Sequence, residues 1–83
     1  MNLYLVSRDE PIGYDEFDSM LVAAESEDDA RSIHPYGLEY SGDFWNASNW
    51  VHRESVEGLN VEKIGVADEG IKRKVIIASF NAG

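Results

Sequence analysis

The first strong signal along the chain is Leu3-Tyr4-Leu5-Val6, apolar on both alternating faces. Residues 2–7 are predicted to form a strand, with Leu3 and Leu5 pointing one way and Tyr4 and Val6 the other. Such a strand is expected to lie inside a sheet and to be covered on both sides. Pro11 and Gly13 mark residues 8–16 as a loop. Residues 17–24 predict a second strand, paired with the first as an antiparallel hairpin. Ser26-Glu27-Asp28-Asp29 is a helix start: a capping hydroxyl followed by acids at the positive end of the helix dipole. Asp29 takes the capping-box position. The helix is expected to run to about His34, where Pro35 and Gly37 stop it. So short a helix is stable only if docked, and Ala30 and Ile33 share the face that would dock on the sheet.

Residues 36–58 carry no clear period and contain Tyr36, Tyr40, Phe44, Trp45 and Trp50. Long irregular connections of this kind are often functional. Residues 59–66 predict a third strand whose alternation slips at Glu62-Lys63, the mark of a bulge or an edge. Ala67-Asp68-Glu69-Gly70 is a turn, and residues 74–81 predict a fourth strand, apolar on both faces and so expected to be central. Eighty-three residues hold one core at most. The expectation is a single α+β domain over residues 1–83. Its order is ββαββ, with a four-stranded, mostly antiparallel sheet whose first and fourth strands lie inside. One short helix and the aromatic-rich loop cover it.

Charge changes this picture. Sixteen Asp and Glu oppose seven Lys and Arg, for a formal charge of −9. Residues 9–43 hold eleven acids and one base, Arg31, while residues 44–83 balance. An acidic block disfavours direct contact with nucleic acid and with anionic membranes, since both modes need basic surface. It points to a partner of opposite sign. Solvation alone is the simpler account, because small domains carry net charge to stay dispersed. Three of the acids also have a capping role at the helix start. There is no apolar run of membrane-spanning length, and the N-terminus lacks the basic and apolar regions of a signal peptide. A cytoplasmic protein is expected.

Candidate chemistry is sparse. There is no cysteine, hence no disulfide and no thiolate metal site. No serine sits in a Gly-x-Ser-x-Gly elbow. His34 and His52 lie eighteen residues apart and form no zinc pattern. His34 is expected at a helix end, where positive charge is welcome, and His52 on the surface. Asp15-x-x-Asp18 does not meet the spacing of a calcium loop. No enzyme, metal or cofactor is expected. The aromatics of residues 36–50 lack the basic groove that single-stranded nucleic acid needs. They suit either the core or a protein interface, where Trp and Tyr are enriched.

Leu3-Tyr4-Leu5-Val6-Ser7-Arg8, Gly13-Tyr14-Asp15-Glu16-Phe17-Asp18 and Val22-Ala23-Ala24-Glu25-Ser26-Glu27-Asp28-Asp29-Ala30-Arg31 carry a resemblance, with Ile64-Gly65 and Ala78-Ser79-Phe80-Asn81-Ala82-Gly83. Together they resemble a family of small phage and prophage proteins of unknown function, over most of the chain except its middle. The family carries no catalytic motif to transfer. The resemblance implies a mobile-element setting, in which small acidic proteins act as inhibitors of host machinery, anti-CRISPR proteins and DNA mimics among them. The expected function is therefore a non-enzymatic inhibitor that occupies the basic surface of a host nucleic-acid-binding protein. Asp9, Glu10, Asp15, Glu16 and Asp18 are the expected contacts, with Tyr14 and Trp45 as anchors. The alternative is a self-associating accessory or assembly protein, a homodimer formed through sheet edges or the aromatic loop.

Overall fold

The computed structural model describes residues 1–9 and 15–81. Strands β1 (Asn2–Ser7), β2 (Glu16–Ala24), β3 (Asn60–Val66) and β4 (Lys74–Asn81) form one sheet. All its pairs are antiparallel, in the order β3-β1-β2-β4. Helix α1 (Glu27–Arg31) follows β2, and two 3₁₀ turns, Leu38–Tyr40 and Arg53–Gly58, punctuate the segment before β3. This is the α+β architecture that the pattern predicts, and each strand falls within one residue of its expected bounds.

The interior strands are β1 and β2, so the expectation of a central fourth strand is corrected: β4 is an edge. The hairpin β1–β2 forms the middle of the sheet. β3 then adds beside β1 and β4 beside β2. Residues 67–73 are therefore not a hairpin turn but a connection across the sheet end. Arg73, at its close, reaches helix α1: its Nε donates to Asp29 Oδ1 at 2.7 Å and its Nη2 to Ser32 Oγ at 3.0 Å. The two-sided apolarity of β4 reflects an unusual edge rather than an interior position.

Helix α1 is shorter than expected, ending at Arg31 rather than near His34. Ser26 caps it as predicted, its Oγ accepting from the Asp29 N–H at 3.1 Å. The Asp29 carboxylate does not close the expected reciprocal box on the Ser26 N–H; it accepts instead from the Glu25 N–H, one residue earlier, at 3.0 Å. The stop comes early because the Ser32 hydroxyl donates to the Asp29 carbonyl at 2.6 Å, a side-chain bond that competes with helix continuation. Ala30 and Ile33 are both fully buried, which supplies the docking that so short a helix requires.

Cross-strand partners share a face, so the register assigns every strand residue to a side. Tyr4, Val6, Met20, Val22 and Ala24 lie on the side that α1 and the aromatic segment cover. Phe17 would fall on the other side by strict alternation. A register shift between Phe17 and Ser19 makes Asp18 an extra residue, and Phe17 turns inward against Phe80, ring centroids 4.9 Å apart. A second shift lets Val75 and Ala78 both face the core although Ile76 intervenes. β3 carries the shift that its slipped alternation predicts, between its pairings with Leu3 and Tyr4. Trp50, Leu59 and Ile33 complete the core, each contributing about 1.5–3 kcal/mol by burial.

Coverage is one-sided. The expectation that β1 is covered on both faces is corrected: among the described residues, the helix and the aromatic segment pack on the Tyr4/Val6 side alone. Leu5 and Ile77, on the other side, remain exposed.

Candidate functional site

The acidic block does not form one surface. β2 spans nine residues, roughly 26 Å at about 3.3 Å per step, and acids collect at both of its ends. At its start lie Asp9, Asp15, Glu16 and Asp18; at its end lie Glu25, Glu27, Asp28 and Asp29. Glu10 and Tyr14 lie outside the described residues.

The first group is partly engaged. Glu16 pairs with Arg8, Oε2 to Nη1 3.6 Å, and the Arg8 guanidinium lies 5.8 Å from the Trp50 ring centroid. Asp9 accepts from the Asn60 amide. Asp18, the bulged residue, accepts from the Ser19 hydroxyl. Asp15 is exposed, and its φ of 61° marks the tight entry into β2. A cleft of about 420 Å³ opens here, lined by Arg8, Asp9, Glu16, Trp50, His52 and Ser55. His52 and Ser55 make no side-chain hydrogen bond to each other among the described residues. At the helix end, Asp29 is committed to the cap and to Arg73, and Arg31 lies near Glu27 and Asp28 at 3.9 and 3.4 Å. Asp28 and Glu27 remain exposed. No three His, Asp or Glu among the described residues are grouped to hold a metal ion.

The aromatic segment divides by side chain. Trp50 is core, and Trp45 packs against it with its Nε1–H donated to the Val51 carbonyl at 2.9 Å. Trp45 thus has a structural role. Tyr36, Leu38, Tyr40 and Phe44 are exposed instead, Phe44 to 77%. The Tyr36 and Tyr40 rings meet edge to face at 5.4 Å. Glu39 and Asp43 are exposed among them, and no Lys or Arg falls between Arg31 and Arg53. Residues 36–44 therefore present aromatic rings with carboxylates on one surface. Trp45, which the sequence singles out as an anchor, is partly buried against the core. Phe44, its neighbour, is left outside.

His34 holds this surface in place. It is fully buried, not a welcome positive charge at a helix end. The Tyr36 N–H donates to its Nδ1 at 3.0 Å, so that nitrogen carries no proton. Its Nε2–H then donates to the Asn46 carbonyl at 2.6 Å. The backbone N–H of His34 donates to Ser41 Oγ, whose hydroxyl in turn reaches the Gly37 carbonyl. The ring packs against Tyr36, Tyr40 and Trp45. Loss of solvation holds its pKa below the usual 6.5, against the opposing effect of the Asn46 carbonyl.

Compared with known protein families, with curated proteins and with solved structures, the chain finds no match. No helix among the described residues is long and apolar enough to cross a membrane.

Proposed function

We propose that this chain is a non-enzymatic binding module that engages a basic surface of a protein partner through the aromatic and acidic surface of residues 36–44. The observation that carries this is the exposure of Tyr36, Tyr40 and Phe44 beside Glu39 and Asp43, with Arg53, bonded to the Gly42 carbonyl at 2.7 Å, as a cation held at the edge of the segment. Exposed aromatic anchors beside carboxylates are the composition of a hot spot with a steering rim. The acids at the two ends of β2 add long-range attraction. Given the resemblance to small phage and prophage proteins, the partner is a host nucleic-acid-binding protein, and occupation of its basic surface is inhibitory.

The test is capture of partners from bacterial lysate at low and moderate salt, read by mass spectrometry, with two variants alongside. Phe44→Ala should leave the fold intact, because that side chain is largely in water, yet release the partner. Reversing Asp9, Asp15 and Asp18 to Lys should slow association at least tenfold at low salt. A partner that is not basic, or one held equally by both variants, sinks the reading.

A further inference from the structure

The register lays out the open face of the sheet as three rows across its strands. The middle row runs Glu62, Leu5, Leu21, Ile77; beside it run Gly65, Leu3, Ala23, Lys74 on one side and Asn60, Ser7, Ser19, Ser79 on the other. The centre is apolar, and Ile77 is 66% exposed in it. A groove of about 370 Å³ lies over Leu5, Leu21 and Ile77. Strands apolar on both faces normally have both faces covered. Here the chain's own helix and aromatic segment are spent on one side.

We propose that this open face is a dimer interface, covered by the same face of a second copy of the chain. The charges at the two sheet edges choose that occupant. In the middle and Leu3 rows the face carries one acid, Glu62, at the β3 edge and one base, Lys74, at the β4 edge. A two-fold axis parallel to the strands lays the β3 edge of one copy over the β4 edge of the other. Glu62 then faces Ile77 of the second copy and is offset one row, about 7 Å along the strands, from its Lys74 across a gap of roughly 10 Å, a span that the two long side chains bridge, and the pair occurs twice by symmetry. An axis across the strands would set Glu62 over Glu62 instead. The result is an aligned two-sheet sandwich with the sheets roughly 10 Å apart.

Four strands at about 4.8 Å spacing and six residues at about 3.3 Å give roughly 400 Å² of flat sheet per copy. About 800 Å² for the pair is below the roughly 1,200 Å² of a standard stable interface. The dimer is therefore weak and concentration-dependent, with the outward aromatic surface of residues 36–44 left free on both copies.

Sedimentation equilibrium from about 5 µM to 1 mM tests this. The wild type is expected to pass from monomer toward dimer over that range. High salt should strengthen the dimer, since it screens repulsion between two copies of charge −9; a complex with a basic partner responds to salt in the opposite sense, so the two proposals fail separately. Ile77→Glu, at an exposed position, should weaken dimerisation at least tenfold while leaving the circular dichroism of the dilute monomer unchanged. Glu62→Lys should weaken it and Glu62→Lys with Lys74→Glu should restore it. A monomer at 1 mM, or a dimer indifferent to Ile77→Glu, overturns the proposal. A dimer that Ile77→Glu breaks but the charge exchange does not restore overturns the axis.

Discussion

Acidification is expected to destabilise this protein in a window set by His34. In the fold the ring is buried and neutral, with Nδ1 accepting from the Tyr36 N–H. A proton on Nδ1 would set two donors face to face and strand a charge in the core. The folded pKa is lowered from 6.5, so below that value the unfolded chain binds the proton more readily than the folded one. The contribution is complete above pH 6.5 and is lost as pH falls from there through the lowered folded value. One unit below, near pH 5.5, the loss is at most about 1.4 kcal/mol. At roughly 4–8 °C per kcal/mol for a domain of this size, that lowers Tm by up to about 11 °C. The assay is thermal unfolding by circular dichroism from pH 7.5 to 5.0, above the range where ordinary carboxylates titrate. His34→Gln should be less stable at pH 7.5 but lose the slope between 7 and 5.5, whereas His52→Gln should keep it. A flat wild-type profile, or the same slope in His34→Gln, would refute the argument from burial. Because His34 touches Tyr36, Tyr40 and Trp45, near-ultraviolet dichroism should report the same transition.

Arg73→Ala removes the tie between the connection across the sheet end and helix α1. Both members of its pair with Asp29 are partly shielded, and a loss of about 1–2 kcal/mol is expected, measured as a shift of the urea midpoint. Asp29→Ala takes away the pair and the acceptor of the Glu25 N–H, so a double-mutant cycle should show the two changes coupled by at least about 0.5 kcal/mol. Gly37 has φ 115° and ψ −177°, a region essentially reserved for glycine. Gly37→Ala meets no steric neighbour, so its expected cost of about 1–3 kcal/mol in denaturant unfolding is purely backbone strain.

Local chemistry made the elements legible in the sequence. The apolar run of residues 3–6, the Ser26 cap with acids behind it, and the slip in β3 each depend on near neighbours in the chain, and the structure carries all three. The division of the aromatics was less legible. Composition says that rings of residues 36–50 belong to the core or to an interface, but which ring goes where depends on the space left over the sheet. Trp50 and Trp45 took that space, and Phe44 and Tyr40 did not. His34 reads as an ordinary helix-end residue because its buried partner, the Asn46 carbonyl, is twelve residues away.

The sequence by itself determined the fold class, the strand bounds and the sign and location of the charge, since propensity, capping and alternation act over a few residues. Only the tertiary structure decided the strand order, because β3 and β4 each have two possible edges and a seven-residue connection long enough to reach either. Tertiary structure also dispersed the acidic block, since its acids ended at opposite ends of β2 and, with Glu39 and Asp43, on the surface of residues 36–44. Finally, an apolar pattern on both sides of a strand demands cover without saying who provides it. The helix and the aromatic segment reach one face of this sheet, and among the described residues no further layer covers Leu5 and Ile77 on the other.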